Sequence, residues 1–146
     1  PDILAPQTVL FGWSHGGWSV LEFLSIVAGD DPEPNVAPPN IDISNLRAAF
    51  LYYPYCGISS LPDSANFPMH TKTVIFHGKK DVITDPRQCQ ALADTLRAGG
   101  GDVEFISLQK SGHWFDNHAV RSVYDADATQ RPRTLVNQTL QSIRTN

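Results

Sequence analysis

The stretch "FGWSHGGWSVLEFL", from Phe11 to Leu24, places a serine between a strand-like run and a helix-like run. The run Thr8–Trp13 is short, β-branched and aromatic, which predicts a buried strand, and Gly16–Ala28 predicts a largely buried helix. A serine with glycine two residues away on either side is typical of a sharp strand-to-helix turn. The strained serine backbone requires that Gly12 and Gly16 lack side chains, and Gly17 adds further conformational freedom.

This turn would give Ser14 the setting of a nucleophile. The helix that follows points its free N–H groups and its partial positive charge at the serine hydroxyl. The backbone N–H of His15 is then the predicted donor to a developing oxyanion. From the pattern alone, a glycine-rich turn without chemistry is an equal alternative.

Strand-like and helix-like segments alternate along the chain, which predicts an α/β fold with a parallel sheet flanked by helices. The four predicted strands are Thr8–Trp13, Arg47–Tyr53, Thr73–His77 and Val103–Leu108. The three predicted helices are Gly16–Ala28, the segment from Pro86 to the stop at Gly99, and Thr134–Arg144. Residues 29–46 predict a Pro-rich excursion loop, and Gly57–His70 is irregular with room for a short helix.

A serine nucleophile needs a base, and the base needs an orienting carboxylate. Asp81 follows the third predicted strand and His113 follows the fourth, in the chain order Ser, Asp, His. Parallel strands place their carboxyl ends on one edge of a sheet, as they do for Ser14 after the first strand. The sequence therefore predicts a Ser14–His113–Asp81 triad at that edge.

Several other side chains compete for these roles. His118 is the rival base, five residues after His113, whereas His77 lies inside a strand and is better explained as a core histidine. Asp85 is the rival acid, but a helix N-cap accounts for it, since Pro86 follows. A metal site at His-x-x-Asp-x-His, residues 113–118, is disfavoured because nothing places these side chains on one helix face.

Two cysteines and two aromatic residues are predicted near the same edge. Cys56 follows the second strand and Cys89 begins the helix after the third, so neighbouring strands would bring the two thiols within bridging reach. This placement favours a disulfide, typical of an extracytoplasmic protein, over two free thiols, typical of a cytoplasmic one. Trp114 and Tyr55 are the candidates for contact with an apolar or aromatic acyl group.

Composition excludes some partners. The chain has 146 residues, 41% of them hydrophobic and 18% charged, enough for one packed domain. The net charge is −4 and no Lys/Arg run exceeds two residues, so nucleic acid is not the expected partner. No apolar run approaches the roughly 18–20 residues that span a membrane.

The first predicted strand is as apolar as a central strand, yet four strands would leave it at the edge of the sheet. We therefore expect something to pair with it. The alternatives are a missing N-terminal half, a second chain, or a symmetry-related copy in a homo-oligomer.

Four pieces of sequence resemble the α/β-hydrolase superfamily and, within it, the dienelactone hydrolase family: "FGWSHGG", "YYPYCG", "HGKKDVITDPRQC" and "SGHWFD". The resemblance implies an eight-stranded fold of which residues 1–146, a single domain without the N-terminal strands, supply the last four strands. It implies Ser14 as nucleophile, Asp81 as triad acid, His113 as triad base and the His15 N–H as half of the oxyanion hole.

The implied function is hydrolysis of a small-molecule ester or lactone through an acyl-enzyme, with no cofactor and no metal. One alternative is a non-catalytic fragment or assembly subunit that retains the turn only as structure. Another is a thioesterase or peptidase built on the same triad.

Overall fold

The computed structural model describes residues 7–28, 43–57 and 67–145. They form four strands and three helices in alternation. In chain order these are β1 (Thr8–Trp13), α1 (His15–Ala28), β2 (Leu46–Tyr52), β3 (Lys72–Gly78), α2 (Pro86–Ala98), β4 (Val103–Leu108) and α3 (Ala126–Thr145). Most of the predicted excursion loop 29–46, and of the irregular segment Gly57–His70, lies outside the described residues.

The four strands form one parallel sheet in the order β1-β2-β3-β4, which confirms the predicted fold class. Trp13 lies opposite Tyr52, Tyr52 opposite Phe76, and Gly78 opposite Leu108. The carboxyl ends of the four strands thus lie within two residues of one another across the sheet. The loops that follow the strands therefore start from one edge of the sheet.

The sheet carries a hydrophobic core on each face because side chains alternate along a strand. Ala49 and Leu51 of β2 join the core that contains residues of α1 and α2, whereas Phe50 and Tyr52 join the core that contains residues of α3. The sheet is therefore the middle of three layers. Near-continuous burial of β2 and β3 follows from this double coverage.

Helix α2 begins as predicted. The Asp85 side chain accepts a hydrogen bond from the Arg87 N–H at 2.9 Å, and Pro86 opens the helix. This capping role accounts for Asp85 without any part in chemistry.

Helix α3 corrects the predicted range Thr134–Arg144, because it starts eight residues earlier at Ala126. Pro132 argues for a later start, yet it is accommodated inside the helix. The start is set by Asp125, whose carboxylate accepts from the Ala128 N–H at 3.0 Å as an N-cap. Packing of the helix on the sheet outweighs the hydrogen bond that proline cannot make.

Strand β1 is an edge strand among the described residues, as predicted. Phe11 and Trp13 are 41% and 45% exposed. Their rings stack on Phe50 and Tyr52 of β2 at centroid distances of 5.3 and 5.1 Å. An aromatic row therefore extends from the core to the open edge of the sheet.

Cys56 and Cys89 form a disulfide, with their Cα atoms 5.0 Å apart. It ties the segment after β2 to the first turns of α2. Both residues are buried. This confirms the disulfide that the sequence favours over two free thiols.

The disulfide closes a loop with a sequence separation of 33 residues. We expect the variant Cys56→Ala/Cys89→Ala to unfold with a free energy about 2–4 kcal/mol lower, chiefly because its unfolded chain is less restricted. Urea denaturation of the oxidised protein and the variant measures this difference. The reduced wild type should match the variant, and equal midpoints for all three samples would contradict the expectation.

Candidate active site

Ser14 occupies the turn between β1 and α1 with a left-handed backbone, φ 51°. Its N–H donates to the Tyr52 carbonyl at 2.9 Å, and its carbonyl accepts from the Trp18 N–H at 3.1 Å. The turn is therefore bonded to the sheet on one side and to the helix on the other. This is the strained strand-to-helix turn that the sequence predicts.

The structure shows which glycines around the turn leave no room for a side chain, and one of them differs from the prediction. A Cβ on Gly12 would lie 2.7 Å from the Gly16 carbonyl oxygen and from the Gly17 Cα. A Cβ on Gly17 would lie 2.9 Å from Pro54 Cβ, whereas one on Gly16 would meet nothing within 4 Å. The prediction for Gly12 is confirmed, but Gly17 rather than Gly16 is the second position that excludes a side chain. The close approach of α1 to the segment after β2 decides this.

The structure brings Ser14, His113 and Asp81 together. The Ser14 Oγ lies 2.9 Å from His113 Nε2, and His113 Nδ1 lies 2.7 Å from Asp81 Oδ2. In the tautomer that satisfies both contacts, Nδ1–H donates to the carboxylate and Nε2 accepts from the hydroxyl. Asp81 and His113 are buried, so this chain of hydrogen bonds is shielded from water at its inner end.

Asp81 is held by the loop that carries it. Its Oδ1 accepts from the backbone N–H groups of Ile83 at 2.8 Å and Thr84 at 3.0 Å. The Thr84 hydroxyl lies 3.0 Å from Oδ2. Burial raises the pKa of Asp81, but the hydrogen bonds from His113 and from the two backbone N–H groups outweigh it, so the pKa is lowered. The carboxylate therefore stays ionised beside His113.

Sequence reasoning missed Thr84. Its hydroxyl lies close to Asp81, to His77 Nε2 at 3.3 Å and to His113 Nδ1 at 3.4 Å. The available signal was its position three residues after Asp81, where a short turn returns the side chain to the carboxylate. His77 is fully buried behind this cluster, and burial lowers its pKa, consistent with the predicted core histidine.

Three residues other than glycine have a left-handed backbone among the described residues: Ser14, Tyr53 and Trp114. Each follows a strand at the same edge of the sheet. The Tyr53 ring packs on the His113 ring at 4.4 Å, and the Trp114 ring meets His113 edge-on at 5.1 Å. Backbone strain of this kind is maintained only where the surrounding contacts impose it.

His15 is the first residue of α1, where backbone N–H groups have no partner within the helix. Its N–H therefore lies next to Ser14 at the positive end of the helix. The predicted oxyanion donor is in the expected element, directly after Ser14. His118, the rival base, is exposed and takes no part in the Ser14–His113–Asp81 chain.

The two predicted substrate contacts, Trp114 and Tyr55, have different aromatic neighbours. Trp114 is 44% exposed and lines a cavity of about 620 Å³ together with His113. Ser14 is not among the residues that line it. Tyr55 is 36% exposed and meets the Trp18 ring edge-on at 6.0 Å, on the side of α1. The Trp114 ring therefore lies against the predicted base, and the Tyr55 ring lies against a residue of α1.

The part of the chain that the structure describes contains no group of three His, Cys, Asp or Glu residues arranged to hold a metal ion. Asp116, a member of the disfavoured metal pattern, accepts hydrogen bonds from Trp13 and Tyr53 instead. Within the same described ranges, no helix has the length and apolar character to cross a membrane.

A parallel sheet with helices on both faces, a strained serine turn and a Ser, Asp, His order along the chain define the α/β-hydrolase class. The model of the prolyl oligopeptidase family (peptidase family S9) matches residues 52–130, more than half of the chain. This protein therefore belongs to the prolyl oligopeptidase family. A comparison with curated proteins finds no match.

Solved structures show the same fold. A protein assigned as a dienelactone hydrolase, from Klebsiella pneumoniae, superposes with a TM-score of 0.63 at 15% identity, over 91% of this chain and 51% of that one. Apo esterase 2 of Thermogutta terrifontis gives 0.61 at 22% identity, over 92% and 55%. The α/β hydrolase MGS-M1, from a Medee basin deep-sea metagenome library, gives 0.62 at 15% identity, over 93% and 54%. The chain thus spans about half the length of these proteins.

The Thr84 hydroxyl provides a first test of how Asp81 is held. We expect Thr84→Val to lower the free energy of unfolding by about 1–3 kcal/mol, since a hydrogen bond to a buried charge is lost without a change of side-chain shape. Urea denaturation measures the change. Thr95→Val is the matched control, because its hydroxyl bonds the Ala91 carbonyl on the exposed face of α2. Equal effects of the two substitutions would contradict the assigned role.

The pKa of Asp81 provides a second test. Folding lowers this pKa, so the unfolded chain binds the proton more tightly than the folded chain. The resulting stabilisation is present above the unfolded value of about 4 and is lost as the pH falls through the lower folded value. Between pH 4 and 2 we expect wild type to lose more free energy of unfolding than Asp81→Asn. Parallel curves from urea denaturation at each pH would show that the pKa is not lowered.

Proposed function

We propose that this protein is a serine hydrolase that cleaves ester or lactone bonds of small molecules through an acyl-enzyme. The observation that carries the proposal is the chain of hydrogen bonds from Ser14 Oγ to His113 Nε2 and from His113 Nδ1 to Asp81, at 2.9 and 2.7 Å. These distances are within hydrogen-bond reach for a nucleophile, its base and the group that orients the base. An esterase and a protein assigned as a dienelactone hydrolase, both among the similar structures, support the substrate class.

In the proposed reaction, Ser14 Oγ attacks the acyl carbon while His113 Nε2 takes the hydroxyl proton. The tetrahedral intermediate collapses, the bond to the leaving oxygen breaks, and His113 returns the proton to that oxygen. A water molecule then attacks the acyl-enzyme with His113 again as base, which releases the acid and restores Ser14. Asp81 stays ionised, holds the imidazole tautomer and stabilises the imidazolium.

The negative charge that forms on the substrate oxygen needs donors. We assign one donor to the N–H of His15, at the start of α1. Removing a single donor of this kind typically lowers kcat by about 10²–10³. The resemblance to α/β hydrolases assigns the second donor to a loop after an early strand of the fold, ahead of β1.

We further propose that β1 is paired in the active protein, by preceding strands of the fold or by another copy of the chain. The exposed aromatic side chains of Phe11 and Trp13 support this, since parallel strands are normally covered on both sides. So does the coverage of only about half of each similar structure. A homo-oligomer would be detected by light scattering as a mass that is a multiple of the chain.

Peptide-bond cleavage is a second candidate, favoured by the match to the prolyl oligopeptidase family. The same three residues could cleave either an ester bond or a peptide bond, because each reaction passes through an acyl-enzyme. p-Nitrophenyl esters and lactones should be hydrolysed if the first proposal is correct. Preferential cleavage of proline-linked p-nitroanilides would favour the peptidase.

Labelling with a fluorophosphonate tests the triad directly. We expect one adduct per chain by intact mass, on Ser14 by peptide mapping, with Ser14→Ala unlabelled and His113→Ala labelled at least about 10³-fold more slowly. Ser19→Ala and His118→Ala are the matched controls, since both side chains are exposed, and they should label like wild type.

A folded protein that forms no adduct would contradict the proposal. It would favour the alternative of a non-catalytic subunit that keeps the turn as structure. Circular dichroism of the same samples establishes that each variant is folded.

A further inference from the structure

One carboxylate outside the proposed triad connects two of the loops that carry triad residues. We propose that Asp116 is a positioning residue, which holds the Tyr53 ring against the His113 imidazole and ties the histidine loop to the serine turn. This inference rests on the proposed function, because positioning matters only if His113 serves Ser14 as base.

Both oxygens of Asp116 are occupied. Oδ1 accepts from the Tyr53 hydroxyl at 2.7 Å, and Oδ2 accepts from Trp13 Nε1 at 2.7 Å. Trp13 is the residue directly before Ser14. Hydrogen bonds to an ionised acceptor are shorter and roughly twice as strong as neutral ones. The two contacts therefore connect three chain segments: the end of β1, the end of β2 and the loop after β4.

Asp116 lies in a turn that begins next to His113. The Asn117 N–H donates to the Trp114 carbonyl at 2.9 Å, which closes the turn around Asp116. Phe115 between them is fully buried, and its carbonyl accepts from the Asp125 N–H at 2.8 Å. The buried Phe115 side chain and its carbonyl bond thus fix the turn, and the Asp116 carboxylate faces Tyr53 and Trp13.

Tyr53 transmits this anchoring to the imidazole. Its backbone is left-handed, φ 41°, and its N–H donates to the Phe76 carbonyl at 2.7 Å. This conformation carries the ring to within 4.4 Å of the His113 ring centroid. A tyrosine buried to 2% exposure needs a partner for its hydroxyl, and Asp116 supplies it.

The charge state of the pair is consistent with this geometry. Burial, followed by the hydrogen bond and the charge of Asp116, raises the pKa of Tyr53 well above its usual range. The Tyr53 hydroxyl therefore stays protonated and remains a donor to the Asp116 side chain. Because Asp81 holds the imidazole at Nδ1 and Tyr53 packs on its ring, Nε2 stays aligned with Ser14.

The test compares Asp116→Ala and Tyr53→Phe with the matched control Asp94→Ala, whose carboxylate bonds the exposed side chains of Gln90 and Arg97 on α2. The first readout is fluorophosphonate labelling of Ser14 over a range of reagent concentrations. For Asp116→Ala we expect the maximal labelling rate to fall about 10- to 100-fold, as for a misplaced catalytic group, with a half-saturating concentration within about twofold of wild type. Asp94→Ala should label like wild type.

Tyr53→Phe keeps the ring and removes one of the two hydrogen bonds, so a smaller decrease is expected. In a Trp13→Phe/Tyr53→Phe background, Asp116→Ala should cause no further decrease, because its partners are already lost. A purely additive loss in that background would overturn the assigned mechanism. So would an unchanged labelling rate in Asp116→Ala.

A second readout does not require reactivity. Imidazole ¹⁵N–¹H correlation spectra, assigned with His113→Ala, report the environment of the His113 ring. We expect the His113 cross-peaks to shift or broaden in Asp116→Ala and to remain in place in Asp94→Ala. Unchanged cross-peaks would refute the positioning role even if wild type forms no adduct, whereas a missing adduct with shifted cross-peaks would refute the proposed function alone.

Discussion

The close approach of β1 to α1 is the constraint on which the site depends. Strand β1 turns directly into α1, and the backbone of Gly12 lies so near to Gly16 and Gly17 that a Cβ would not fit. The chain can make this turn only with Ser14 in the left-handed region, a conformation that costs about 1–3 kcal/mol for a residue other than glycine. Hydrogen bonds to Tyr52 and Trp18 offset that cost. The outcome is a serine hydroxyl at the edge of the sheet, beside the first N–H groups of α1.

The parallel sheet determines what the serine meets there. The parallel strand direction brings the loops after β1, β3 and β4 to one edge, and cores on both faces make the sheet a rigid base for them. Each loop is then held by its own polar contacts. Asp81 is held by the turn that ends at Thr84, and the histidine loop is held by Asp116 and by the buried Phe115. Strain and hydrogen bonding are concentrated where the proposed chemistry needs fixed distances.

The family match and the similar structures bear on different parts of this arrangement. The prolyl oligopeptidase match runs from the last residue of β2 to the first turns of α3 and so includes the loops of Asp81 and His113, while Ser14 lies ahead of it. The similar structures cover more than nine-tenths of the chain, at identities that establish the fold alone. The triad geometry therefore carries the proposal for the reaction. The open edge of β1 carries the proposal that the sheet continues.

Local patterns in the sequence were sufficient to predict the order and type of the elements and to select the residues of the proposed triad. Apolar runs predicted the strands, and Asp85 with Pro86 predicted the start of α2. Ser14, Asp81 and His113 each follow a strand in the sequence. Because parallel strands all end at the same edge of the sheet, the three residues were predicted to lie there. Tertiary structure decided the rest. It selected Gly17 over Gly16, started α3 ahead of Pro132, bridged Cys56 to Cys89, and brought Thr84, Tyr53 and Asp116 around the histidine. Most of those features arise from contacts between segments distant in the chain, which no local period or cap encodes, whereas the Thr84 contact and the start of α3 also depend on local bonds to Asp81 and Asp125.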